Sequence, residues 1–112
     1  MSTTGTDFVV VLVTTARAEE ARRIGRTLVE EGLAGCVNVV GAIRSIYRWQ
    51  GAVEEADEHL LIVKARAADL PALGERVRAL HSYDVPEVLA LPVAGGSQDY
   101  LEWLAAATVR GD

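Results

Sequence analysis

Cysteine is nearly absent from this chain: Cys36 stands alone among 112 residues, so no intrachain disulfide can form and packing must hold the fold. Long apolar runs are missing too. The longest, Phe8 to Val13, falls far short of the roughly 20 residues that a membrane span needs, and no membrane partner is expected. No internal repeat and no low-complexity tract is present. Positive charge is in the minority: a net charge of −5 repels phosphate backbones and anionic lipids, which argues against nucleic acid as a partner. The basic residues that do cluster, Arg17, Arg22, Arg23 and Arg26, interleave with Glu19, Glu20, Glu30 and Glu31, the pattern of a solvated helix face. Signatures of catalysis are lacking as well. There is no Gly-x-Ser-x-Gly elbow, phosphate-cradling glycine loop, His-Glu-x-x-His helix or paired-cysteine motif, and Gly95-Gly96 reads as a turn before a capped helix. The expectation is a protein that binds rather than catalyses. The stretch Met1 to Asp7 has neither the basic nor the apolar part of a secretory leader, so a cytoplasmic address is expected.

What is present is the material of one ordinary domain over residues 1–112, with 1–6 expected to be flexible, since half of the residues are hydrophobic and 24% are charged. Asp7 to Thr14 is a β-branched run suited to a central strand, and Ala18 to Leu33 carries Ala21, Ile24, Leu28 and Val29 at helical spacing with Gly32 as its stop. Cys36 to Trp49 is strand-like, with Gly41 breaking the alternation as a bulge would, and Gln50-Gly51 makes a turn into Val53 to Arg66. Asp69 opens a second helix bearing Leu70, Leu73, Val77 and Leu80; Glu87 to Val93 reads as a fourth strand; Ser97 caps a last helix with Tyr100, Leu101, Trp103 and Leu104. The order β-α-β-β-α-β-α predicts an α+β, ferredoxin-like fold: a four-stranded antiparallel sheet with two helices on one face and an unusually long hairpin. The uncovered face and the protruding hairpin predict oligomerisation.

Four stretches carry a family resemblance: Ala34-Gly35-Cys36-Val37-Asn38, Ser45-Ile46-Tyr47-Arg48-Trp49-Gln50-Gly51, His81-Ser82-Tyr83-Asp84-Val85-Pro86-Glu87 and Tyr100-Leu101-Glu102-Trp103. Together with Glu58 and Lys64 they resemble the CutA family of divalent-cation and copper tolerance proteins over nearly the whole chain. The resemblance implies a homotrimer of PII-like architecture with pockets between subunits. It implies no required cofactor, but copper or another divalent cation as a ligand. Ser82 departs from the proline that many relatives carry. A multi-thiolate site within one subunit is ruled out by the single cysteine.

Against that background two roles stand open for each candidate residue. Cys36 and His81 form a metal pair if the fold brings them together; otherwise Cys36 is a small buried hydrophobe and His81 a cap on helix carbonyls. Lys64, Tyr83 and Glu87 are pocket candidates, Lys64 needing an anionic partner such as Glu87 or a bound ligand. Tyr47 and Trp49 share one face of the hairpin and, with Trp103, serve as interface anchors or, in the case of the first two, as a stacking platform. His59 is assigned to ordinary surface or interface. An alternative from another class is a PII-like signalling module that binds a small anion or nucleotide between subunits, motivated by Lys64, Arg44 and Arg48.

Overall fold

The computed structural model describes residues 5–109. The elements follow in the order β1 (Phe8–Thr15), α1 (Ala18–Glu30), β2 (Cys36–Trp49), β3 (Ala52–Arg66), α2 (Leu70–Leu80), β4 (Leu89–Pro92) and α3 (Gln98–Ala107), with a short 3-10 turn at Ala67–Asp69 before α2. This is the predicted βαββαβα succession. Of the N-terminal segment, residues 1–4 lie outside the described residues. Thr6 is tied to the end of β4: its N–H and its Oγ1 both donate to the Val93 carbonyl, at 3.1 and 2.8 Å.

Strand order in the sheet is β2-β3-β1-β4, with every pairing antiparallel. β1 is therefore central, as its unbroken β-branched run requires. Alternation along the strands separates two faces. On one, Val9, Val11 and Val13 of β1 join Leu61, Val63 and Ala65 of β3 beneath Ala21, Ile24 and Leu28 of α1 and Leu73 and Val77 of α2. Each of the fully buried leucine and isoleucine side chains contributes about 1.5–3 kcal/mol relative to exposure. The other, open face carries Val10, Leu12, Leu60, Ile62 and Lys64, with Val40, Leu89 and Leu91 exposed toward its borders. α3 is tied to the sheet near its C-terminal end, where Arg66 donates from Nη2 to the Ala105 carbonyl at 2.8 Å and from Nε to Thr108 Oγ1 at 2.9 Å.

Local chemistry sets the element ends. At the end of α1, Gly32 adopts φ +73°, while its N–H donates to Val29 and that of Leu33 donates to Leu28. This paired wrap-back terminates the helix and needs a left-handed residue. The hairpin turns on Gln50 and Gly51, at φ 50° and 82°, both positive as a two-residue turn matched to strand twist demands. The bulge expected at Gly41 lies between the pairs Val40↔Leu60 and Ile43↔Glu58, where β2 has Gly41 and Ala42 against His59 alone. Ser97 caps α3, its Oγ accepting from the Tyr100 N–H at 3.3 Å. β4 is shorter than the predicted Glu87 to Val93; only Leu89–Pro92 pair with β1. Glu20, predicted on a solvated face, is buried at 7% exposure because it lies one helical turn before Ile24 on the inward stripe of α1.

Candidate functional site

The bulge decides where the hairpin aromatics point. Before it, Val37 faces the helices and packs against the core; after it, the alternation is reversed, so Ser45, Tyr47 and Trp49 share a face with Glu58 and Glu54. There they form one wall of a cleft of about 630 Å³, lined also by Thr14, Ile46, Tyr83, Asp84, Val85 and Glu87. The opposite wall is the turn after α2.

His81 builds that turn. Its ring is buried, Nε2 donating to the Thr14 carbonyl at 2.7 Å while Nδ1 accepts from the Tyr83 N–H at 3.0 Å. An Nδ1 so occupied leaves the neighbouring Glu20 Oε2, 3.8 Å away, to the Ser82 N–H, which donates to it at 2.7 Å. Burial pushes the Glu20 carboxyl up, but the hydrogen bonding from Ser82, with His81 and Arg23 nearby, outweighs it and leaves the group below the usual carboxylate range. The Tyr83 ring lies 4.7 Å from that of His81. Its hydroxyl donates to Glu58 Oε2 at 2.7 Å. Burial and then Glu58 hold the phenol far up, so it stays a donor at any ordinary pH. Glu58 is 8% exposed although it is a carboxylate. Glu87 is an exposed residue whose carboxyl is raised by partial desolvation and then by the Glu58 charge.

The structure thus brings Tyr83, Glu87, Tyr47 and Trp49 together and leaves the other candidates elsewhere. Cys36 stands opposite Lys64, and Lys64 opposite Val10, whereas His81 holds Thr14 at the other end of β1. Four residues along a strand separate the two by roughly 13 Å, so Cys36 and His81 do not form a joint site within one chain. His81 has no nitrogen to spare. Lys64 does not meet Glu87: its ammonium donates to Asn38 Oδ1 and lies 3.9 Å from Cys36 Sγ. Trp103 is 48% exposed on α3, its ring 5.5 Å from that of Tyr100, and Tyr47 and Trp49 are 40% and 53% exposed. His59 carries a buried Nδ1 with no hydrogen-bond partner. Among the described residues no trio of His, Cys, Asp or Glu converges on a point that could hold a metal ion. Glu58 is the residue that sequence reasoning left out of the pocket. Its even spacing with Leu60, Ile62 and Lys64 was the signal that placed it on the open face.

The family described as CutA1 divalent ion tolerance protein matches residues 9–107. The divalent-cation tolerance protein CutA of Thermus thermophilus is 54% identical over 99 residues, which make up 88% of this chain and 96% of that protein. The chloroplastic CutA protein of Arabidopsis thaliana is 49% identical over 100 residues, covering 89% of this chain but only 55% of its own length. The crystal structure of CutA1 from Oryza sativa superposes with a TM-score of 0.90 at 47% identity, over 98% of this chain and 100% of that one. No helix among the described residues is long and apolar enough to cross a membrane. Sequence and backbone agree from β1 to α3, and the chain belongs to the CutA1 divalent ion tolerance family.

Proposed function

We propose that this chain works as a non-catalytic binding protein in divalent-ion tolerance, assembled as a homotrimer, with its ligand entering the cleft over Glu58, Tyr83 and Glu87. The observation that carries the reading is the cleft itself: a concave surface of small-molecule size in which carboxylates stand beside exposed aromatic rings. Assembly is supported by Leu89 and Leu91, 56% and 48% exposed at the border of the open face, together with Tyr47, Trp49 and Trp103. In this reading neighbouring chains complete the cleft as an intersubunit pocket. Tolerance is what the names of the relatives say of those proteins, and it enters here as kinship.

Copper or another divalent cation is the ion this reading assigns, as cargo. The described residues of a single chain do not by themselves make a copper site, since Cys36 is one thiol and His81 is committed to the fold. Cys36 would anchor the ion and neighbouring chains would add the remaining ligands. The PII-like alternative draws little support from the cleft, which no basic residue lines: Lys64 is held by Asn38, Arg44 pairs with Glu55 and Asp57, and Arg48 shares the face of Arg44. A cytoplasmic address belongs to the same reading, and cell fractionation tests it, the Arabidopsis relative being chloroplastic by name.

Light scattering at micromolar concentration should give the mass of a trimer, and a monomer would end the assembly part of the proposal. A calorimetric titration of metal-stripped protein with copper(I) under reducing conditions tests the ion. Tight, stoichiometric binding that disappears in Cys36→Ser supports copper as cargo, whereas weak binding unchanged by that substitution removes it.

A further inference from the structure

We infer that the cleft between the hairpin and the Tyr83 to Glu87 turn takes a small organic cation, an alkylammonium whose charge meets Glu58 and Glu87 while its carbons lie on Tyr47 and Trp49. The inference rests on the reading that this cleft is the ligand pocket, and it names the class of ligand.

Four carboxylate residues line the cleft, Glu54, Glu58, Asp84 and Glu87, and no lysine, arginine or histidine is among its lining residues. The key group is Glu58. It is 8% exposed, and among the described residues the only hydrogen bond to its carboxylate comes from the neutral Tyr83 hydroxyl, to Oε2. Burying a carboxylate beside no countercharge is costly, and its other oxygen is left to receive a donor from the cleft. The basic side chains nearest in the fold face away, Arg48 included, since it alternates with Tyr47 and Trp49 and so shares the face of Arg44. Arg44 lies on the opposite face of the hairpin with Glu55 and Asp57, and Lys64 sits with Asn38 and Cys36 at the far end of the sheet.

The remaining walls distinguish an organic cation from a metal ion. Tyr47, Trp49, Tyr83 and Val85 present apolar and aromatic surface to the same space. A hydrated divalent ion gains nothing from that surface and asks instead for several converging oxygens, which the described residues do not provide. An alkylammonium uses both halves of the site. Its charge is attracted to the ring faces as well as to the carboxylates, and its carbons bury apolar area. The volume, about 630 Å³, suits a small molecule with a carbon skeleton rather than a single ion.

The test is a calorimetric titration of the assembled protein at low ionic strength with butylammonium and tetramethylammonium chloride, beside butanol and magnesium chloride. Both ammonium salts should bind saturably, and butanol and magnesium should bind at least tenfold more weakly. Glu58→Gln should weaken the ammonium salts by tenfold or more, and Trp49→Leu by about two- to fivefold, the scale of a cation–aromatic contact at an exposed ring. Should Glu58→Gln fail to fold, Glu87→Gln, at an exposed position, is the second variant and should weaken them severalfold. Magnesium binding as well as the ammonium salts, or affinities untouched by Trp49→Leu and Glu87→Gln, would reduce the cleft to a diffuse acidic surface and overturn the inference. So would the absence of any binding, including the case in which a neighbouring chain fills the cleft. A trimer that binds copper through Cys36 but no ammonium ion would leave the proposed function standing and this inference refuted.

Discussion

Replacing Tyr83 with phenylalanine removes one oxygen and keeps the ring that tilts against His81. What is lost is a 2.7 Å hydrogen bond to a carboxylate that is 8% exposed. Hydrogen bonds to charged groups contribute about 1.5–3 kcal/mol, and water reaches Glu58 too poorly to replace the phenol in full, so we expect Tyr83→Phe to cost about 2 kcal/mol. With a urea dependence of about 1–3 kcal/mol per molar for a domain of this size, the unfolding midpoint should fall by roughly 1 M. Wild type and variant must be compared at one protein concentration, because assembly adds to apparent stability. A double-mutant cycle with Glu58→Gln separates this bond from any general loss of packing: the two substitutions should couple by more than about 1 kcal/mol. A coupling below about 0.5 kcal/mol would show that the phenol and the carboxylate do not depend on each other, and the account of the cleft floor would fail.

Two further outcomes follow from charge and from backbone. The Glu87 carboxyl is raised above its ordinary value of 4.5, so the folded chain holds that proton to higher pH than the unfolded chain does; its stabilising effect is complete below 4.5 and is lost as pH rises through the folded value. Glu87→Gln should therefore raise the urea midpoint slightly at neutral pH and leave it unchanged in acid; a variant less stable at neutral pH would contradict the assignment. Ala42 holds φ 25° in the bulge, a conformation that favours glycine, so Ala42→Gly should stabilise the fold by up to about 1 kcal/mol in urea unfolding, and a loss of similar size would show that the bulge is unstrained.

Much of the fold was legible because it is written in periodicity. The apolar spacing of α1, the β-branched run of β1 and the break at Gly41 each have a local physical cause, and each element appears where its cause lies. The site was legible only in part. Tyr83 and Glu87 are close in the chain and stay close in space, but Cys36 and His81 are parted by strand register, which no local pattern in either segment encodes. His81 is fixed by the Thr14 carbonyl, and a backbone acceptor leaves no mark on a residue string. Glu20 could have been read correctly: its spacing to Ile24 and Leu28 is the inward stripe, and its charge drew attention to the helix surface instead. Lys64 found Asn38, two residues beyond its cross-strand neighbour Cys36, a diagonal pairing that needs the register to be known first.

The extra residue in β2 has a consequence for how this chain tolerates change in length. Because Val40 and Ile43 stand on either side of a reversal, the inner half of β2 and its outer arm obey opposite parities. An insertion or deletion of two residues in the outer arm preserves the parity of every side chain and alters only reach. A change of one residue turns Tyr47 and Trp49 over to the face of Arg44 and empties the cleft wall, while the core inward of the bulge keeps its pairing. Even-numbered steps are thus a neutral currency for the arm and odd ones are switches, so the reach of the hairpin can vary while the chemistry at its base stays in place.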